Sequence, residues 1–255
     1  GGNQAVSVAY LAQHRADAHY LLLATSTIIT NHLQGLSPHS YKDFPALALA
    51  FVDYSAFMVP VNSPFKTFGD LVAGLKSNPE SIAFSVVSRG GTSHAVIAIA
   101  ARAAGIDAKR LKIVVYKTSA EATTAMMGGH IQATAENLGE VMPQAETKKL
   151  RLLGVPALTR LAGLPNVPTL KEQGYDIHAG GMRGFVAPAA IPQDAAKVLE
   201  DMLARVHKSP QWRDYMARNR YEDVYLNAGE LAKWLAAQQV EVTQFLTEMG
   251  LVLKK

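Results

Sequence analysis

Phe84–Gly105 reads FSVVSRGGTSHAVIAIAARAAG. An apolar, β-prone run ends at Ser88, Arg89, Gly90 and Gly91, and a hydroxyl pair, Thr92 and Ser93, opens an alanine-rich segment. A strand that feeds a glycine turn and then a helix is the repeating unit of parallel α/β sheets. Such a turn leaves the first N–H groups of its helix unpaired, at the positive end of the helix dipole. It either caps the helix and nothing more, or holds a carboxylate or phosphate. Gly90 and Gly91 let an anion approach the backbone, Thr92 and Ser93 add hydroxyls, and Arg89 offers a bidentate fork.

Several alternatives fail on spacing. SRGGTSH lacks the Gly-Lys-Ser/Thr ending of a P-loop and the third glycine of a dinucleotide fingerprint. No glycine follows Ser93 as a nucleophile elbow requires. Ser93 and His94 are neighbours, and adjacent helical positions point about 100° apart, so they do not form a nucleophile–base pair. His94 is expected to pack or hydrogen-bond locally. The eight histidines show no metal-ligand spacing, so neither a metal site nor a cofactor is expected.

Working outward, Ser81–Val87, Leu111–Tyr116, Ile131–Glu136 and Leu150–Val155 read as strands. Thr92–Ala104, Ser119–Met127 and Leu138–Thr147 read as the helices between them, which predicts a parallel sheet covered on both faces. Thr67 with Asp70 forms a capping box, and Pro79 stops the helix that follows. AENLGEVM repeats the strand-to-helix theme, with Asn137 placed to cap or to bind. LLLATSTIITN ends an apolar run in Thr25, Ser26 and Thr27. Near the C-terminus Ser209 and Asn227 cap two more helices, the second with Glu230 in a capping box. Its buried face is expected at Leu231, Trp234, Leu235, Val242 and Leu246. Val198, Leu199, Met202, Leu203 and Val206 show the same helical spacing upstream.

FPALALAFVDYSAFMVPVNSPF and YDIHAGGMRGFVAPAAIP flank the regular middle, and both are strand-like and broken by Pro or Gly. Two lobes joined by two crossing segments are predicted: residues 1–62 plus 181–255, and residues 63–180 with a parallel α/β sheet. A hinged cleft between such lobes is a common place for a small molecule.

The bulk numbers set limits. The 255 residues suffice for two modest domains, and 49% hydrophobic with 18% charged content is ordinary for a globular chain. A net charge of +4 from scattered Lys and Arg gives no nucleic-acid arm. With no cysteine, disulfides, thiolate metal sites and cysteine nucleophiles are absent. No apolar run is long enough to span a bilayer.

Read in order, GGN, DAHYLLLATS, YKDFPALALA, FSVVSRGGTSH, VVYKTSAEATTAMMGGHI, ENL, LRLLGV, LPNVPTLKEQGY and RGFVAPAAIP carry a resemblance. The chain resembles the Bug-type solute receptors of tripartite tricarboxylate transporters, and Leu164–Tyr175 is its most specific stretch. The resemblance implies a periplasmic, two-lobed α/β receptor that binds a small carboxylate without catalysis. It further implies delivery to membrane permease subunits or signalling through a sensor protein, and a monomer. The ligand-binding set it implies is Thr25, Ser26, Ser88, Arg89, Gly90, Gly91, Thr92, Ser93, His94, Asn137, Gly139 and Arg183. Arg183 alternatively pairs with a surface acid. An α/β enzyme acting on a small carboxylic acid or ester is the competing reading. Two departures stand out. The family's first strand, glycine-rich loop and first helix, which normally precede GGN, are expected upstream of this chain. Arg89 and Gly91 replace the more usual asparagine and threonine.

Overall fold

The computed structural model describes residues 2–147 and 149–253, so Gly1 of the GGN motif lies outside the described residues. In chain order the elements are α1 (Ala5–Gln13), β1 (Leu22–Ala24), α2 (Thr27–Leu33), β2 (Ala46–Pro60), α3 (Phe68–Ser77) and β3 (Ala83–Val86). Next come α4 (Thr92–Ala103), β4 (Lys112–Val115), α5 (Ser119–Met127), β5 (Ala133–Asn137), α6 (Leu138–Glu146) and β6 (Leu150–Gly154). The chain closes with β7 (Gly180–Val186), α7 (Gln193–His207), α8 (Pro210–Asn219), β8 (Leu226–Asn227) and α9 (Ala228–Glu248).

The chain divides into two compact units, Asp53–Gly180 and Gly1–Val52 with Gly181–Lys255. The sequence places the first boundary at 62/63, where β2 has ended. The division falls inside β2 instead, because its first half pairs with β8 and its second with β5 and β6.

In the unit Asp53–Gly180, β3 runs parallel to β4 and to β5. β2, which the sequence reading leaves outside this parallel sheet, joins it antiparallel to both β5 and β6. An α6 crossover does carry the chain from β5 to β6, but β2 enters between them from the preceding segment. Phe57, Val59, Phe84, Val86, Ala133, Ala135 and Leu153 point from this sheet into one core. Leu71, Leu75, Val96, Ile97 and Ala100 of α3 and α4 close it. The alternation along β5 therefore sends Thr134 and Glu136 to the opposite face.

The segment after β6 has a packing role. Thr169 and Glu172 cap each other, the Thr169 N–H donating to Glu172 Oε2 (2.8 Å) and the Glu172 N–H to Thr169 Oγ1 (3.0 Å). Gln173 then accepts from the Phe68 N–H at 3.1 Å and donates to the Leu153 carbonyl at 2.9 Å, tying α3 to β6. Tyr175 meets Phe68 edge to face, with ring centroids 5.0 Å apart.

In the other unit β1 pairs antiparallel with β7, and β7 lies beside β2. Val8, Leu11, Ile28, Ile29, Leu49, Met182, Val186, Leu231 and Leu235 share one core. The Asn227–Glu230 capping box starts α9 as the sequence indicates. Leu231, Leu235 and Leu246 are buried, while Trp234 and Val242 are half-buried and Phe245 joins the buried set. On α7 the expected stripe is only partly interior. Leu203 is buried, but Val198 and Val206 are 64% and 44% exposed, since helical spacing fixes a face and not what covers it.

Gln173→Ala leaves the Phe68 N–H and the Leu153 carbonyl without this partner. It is expected to lower unfolding stability by about 1–3 kcal/mol in urea titrations.

Candidate functional site

β3, β4 and β5 run in one direction, and each is followed by a helix. The amino ends of α4, α5 and α6 therefore open at the carboxyl edge of these strands, where α/β folds present ligand sites. Their capping differs. Thr118 accepts from the Glu121 N–H at the start of α5, and Asn137 Oδ1 accepts from the Gly139 N–H at the start of α6. α4 begins at Gly91, which has no side chain to cap it, so its first-turn N–H groups are the open ones.

The turn before α4 holds itself together. Gly90 has φ +77°, a conformation that glycine adopts without strain, and its N–H donates to His94 Nδ1 at 2.9 Å. The Gly91 N–H donates to the Ser88 carbonyl at 3.3 Å. A Cβ on Gly91 would press on Ser88 Oγ, so a side chain there requires the Ser88 hydroxyl to turn away. The amides of Gly90 and Gly91 are thus committed inside the turn, and those of Thr92 and Ser93 are the first of a helix that no side chain caps. His94 is 1% exposed. Its Nδ1 accepts, so the neutral ring carries its proton on Nε2. Burial, with the nearby Arg89 charge, lowers its pKa to about 4. His94 shapes the turn; Arg89 is exposed.

Glu136, not singled out from the sequence, is the main titratable group here. It is the penultimate residue of β5 and is 2% exposed. Its Oε2 accepts from Ser119 Oγ at 3.2 Å and from Ser93 Oγ at 3.5 Å. Thr134 Oγ1 lies 3.3 Å from Oε1 and 3.0 Å from the Ser85 carbonyl oxygen. Burial raises the Glu136 pKa to about 7, reinforced by Glu140 and opposed by the hydroxyls. Next to it, Asn137 Nδ2 donates to Asp53 Oδ2. The only sequence signal for Glu136 is an acid two residues after Thr134 in an otherwise small, apolar strand.

Ser88 to His94, Asn137 and Gly139 are thus brought to one sheet edge, with Gly139 exposed and Asn137 half-buried. Thr25, Ser26 and Arg183 belong to the other unit. There Gln4 Oε1 accepts from the Thr25 N–H and from Thr25 Oγ1, both at 2.9 Å, and from Thr27 Oγ1 at 3.3 Å. Ser26 is the uncapped start of α2. Arg183 is half-buried and donates from Nη1 to the Met182 carbonyl at 3.2 Å. Among the described residues no group of His, Asp or Glu is placed to hold a metal ion. Nor is any helix long and apolar enough to cross a membrane.

His94 and Glu136 impose opposite pH slopes on stability. Unfolded His94 binds a proton below 6.5, which the folded protein resists down to about 4, so its contribution is lost as pH falls through that window. Unfolded Glu136 releases its proton near 4.5, which the folded protein keeps to about 7, so its contribution is lost as pH rises through that window. Glu136→Gln is expected to leave a stability that rises from pH 4 to 6.5, by on the order of 2–3 kcal/mol, in denaturant titrations across pH.

Comparison with known proteins places these features. A curated relative from Cupriavidus necator, the UPF0065 protein in the gbd 5' region, is 29% identical over 194 residues. That alignment covers 76% of this chain and 58% of the relative. Protein BugT of Bordetella pertussis is 27% identical over 168 residues, covering 64% of this chain and 51% of its own length. The chain thus spans little more than half the length of these curated relatives. A Rhodopseudomonas palustris protein solved with adipate superposes with TM-score 0.86 at 20% identity, over 98% of this chain and 84% of its own. MatC from the same organism, solved with bound malate, gives 0.77 at 17% identity over 96% and 84%. The periplasmic binding protein BugD gives 0.78 at 20% identity over 100% and 86%. At these identities the likeness establishes the fold, that of the two-lobed periplasmic binding proteins. The sequence profile of the tripartite tricarboxylate transporter family receptors, TctC, matches residues 1–251, and the chain belongs to that family.

Proposed function

We propose that this protein is an extracytoplasmic receptor that captures a small organic acid as its carboxylate and passes it to membrane permease subunits. The observation that carries this reading is the uncapped amino end of α4, with the Thr92 and Ser93 amides open at the carboxyl edge of parallel strands. Oriented N–H donors at a helix start hold a carboxylate without a metal. Membership of the TctC family, and relatives in fold solved with adipate and malate, support a carboxylate as the ligand. The periplasm is the compartment of such receptors.

The residues divide by role. Thr92 and Ser93 supply backbone donors, while Ser88, Gly90, Gly91 and His94 set the shape of the turn. Asn137, held by Asp53, and Gly139 form the neighbouring wall. Arg89, exposed at the turn, is the proposed fork for a second carboxylate. In the other unit, Ser26 and Arg183 are proposed as further donors, and Thr25, whose N–H and hydroxyl both go to Gln4, as the residue that shapes the turn before α2. No turnover is part of this function. Ser93 directs its hydroxyl at a carboxyl group, and His94 Nδ1 is engaged by Gly90, so a serine–histidine nucleophile has no support here.

A thermal-shift screen of the folded protein against mono-, di- and tricarboxylates and acidic amino acids is the direct test. A hundredfold excess over Kd adds about 2.7 kcal/mol of stability, enough for a clear rise in Tm. Absence of a shift with every acid in the panel overturns the reading. Arg89→Ala is expected to weaken dicarboxylate binding about tenfold, a loss of one charge-assisted contact, while monocarboxylate affinity stays within a few-fold. Equal dicarboxylate affinities for variant and parent, measured by calorimetry, would remove Arg89 from the site.

A further inference from the structure

We propose that Glu136 is a specificity-determining residue of the carboxylate site, and that capture of the anion takes up a proton on its side chain. This rests on the carboxylate reading above and goes beyond it. The geometry itself calls for a neutral acid. The Thr134 hydroxyl has a single proton, and the Ser85 carbonyl oxygen 3.0 Å away can only accept it. Against that shorter bond Glu136 Oε1, at 3.3 Å, has only the second claim on the same hydroxyl proton, so an ionised Oε1 lacks a full donor, whereas a protonated Oε1 itself donates to Thr134 Oγ1. With the proton on Oε1, Oε2 remains to accept from Ser119 and Ser93. Every polar atom of the buried acid then has a complementary partner, and its raised pKa agrees with that arrangement.

The position of Ser93 links this acid to the ligand. Its amide is one of the open donors of α4, and its hydroxyl is bonded to Glu136. An anion held by that amide lies within a few ångströms of the buried carboxyl, where water screens little. Ionised Glu136 repels such an anion; neutral Glu136 does not. The other groups that face this carboxyl do not replace it as the titrating element. Glu140 at the start of α6 is exposed and adds to the repulsion. His94 of α4 stays neutral above pH 4. Ser119 of α5 and Ser85 of β3 carry no charge, and Ala56 of β2 stands opposite Glu136 in the sheet. Asp53 of β2 is engaged by Asn137. Discrimination follows: below neutrality the site accepts a full carboxylate, and above it the same ligand must bring a proton.

Calorimetry of the intact protein with succinate, malate and adipate, each in two buffers of different ionisation enthalpy from about pH 6 to about pH 8.5, counts the protons directly. Uptake is expected to approach one proton per ligand on the alkaline side and to vanish on the acid side. Over the same span Kd weakens by up to about tenfold per pH unit. Glu136→Gln keeps a donor for Thr134 and an acceptor for the serines, and it is expected to bind with no proton uptake and a flat pH profile. Binding by the parent without proton uptake overturns the proposal, as does a variant that keeps the parental slope. If none of the three acids binds at any pH, the carboxylate reading itself fails and the proposal falls with it.

Discussion

The strand Ala46–Pro60 is the constraint on which both compact units depend. Its sequence, ALALAFVDYSAFMVP, is buried nearly throughout and pairs with different partners along its length. A backbone so enclosed must find all its hydrogen bonds in sheet ladders, and its side chains must be apolar on both faces. The polar exceptions, Asp53 and Ser55, come at its middle, and Asp53 is used to hold Asn137 at the start of α6. The position of a candidate ligand-facing amide is thereby set by a strand remote from it in sequence.

Around the site, two kinds of desolvation act in opposite directions. Burying His94 makes it a permanent acceptor, which locks the Gly90 amide while the Ser88 carbonyl holds that of Gly91, so the helix offers its amides from Thr92 onward. Burying Glu136 raises its pKa to about 7, so it keeps its proton well above the usual carboxylate range. Neither group needs a formal charge to shape the edge, and a neutral Glu136 adds no negative charge to those of Glu140 and Asp53.

The turn from Ser88 to His94 was legible because its information is local. A strand, a glycine in the left-handed region and an alanine-rich helix follow one another within a single window. The local bond of His94 was legible for the same reason. Glu136 was not, because its surroundings come from Ser93, Ser119 and Thr134 on three separate elements, and no spacing rule joins them. The antiparallel insertion of β2 was hidden in the same way. Its sequence reads as strand-like but broken by Pro, and only pairing reveals one continuous strand that enters the sheet antiparallel. The stripe on α7 shows the converse: periodicity named a face at Val198 and Val206, but the tertiary structure left it uncovered. The motif PTLKEQGY, the most specific mark of the family, proves to be about packing. Gln173 fastens α3 to β6, and the Thr169–Glu172 pair caps the turn that presents it.

The division of the chain has a further consequence for its biogenesis. The unit Asp53–Gly180 is one uninterrupted segment, so every strand and helix it needs is available once Gly180 has been synthesised. The other unit is split around it: β1 and the first half of β2 wait for β7, β8 and α9, which come last. During vectorial synthesis the apolar residues of the early segment, Ile28, Ile29 and Leu49 among them, remain without Leu231 and Leu235 until the end. The order of assembly is therefore written into the topology, with the inserted unit able to mature first and the flanking one held open until the final helix arrives.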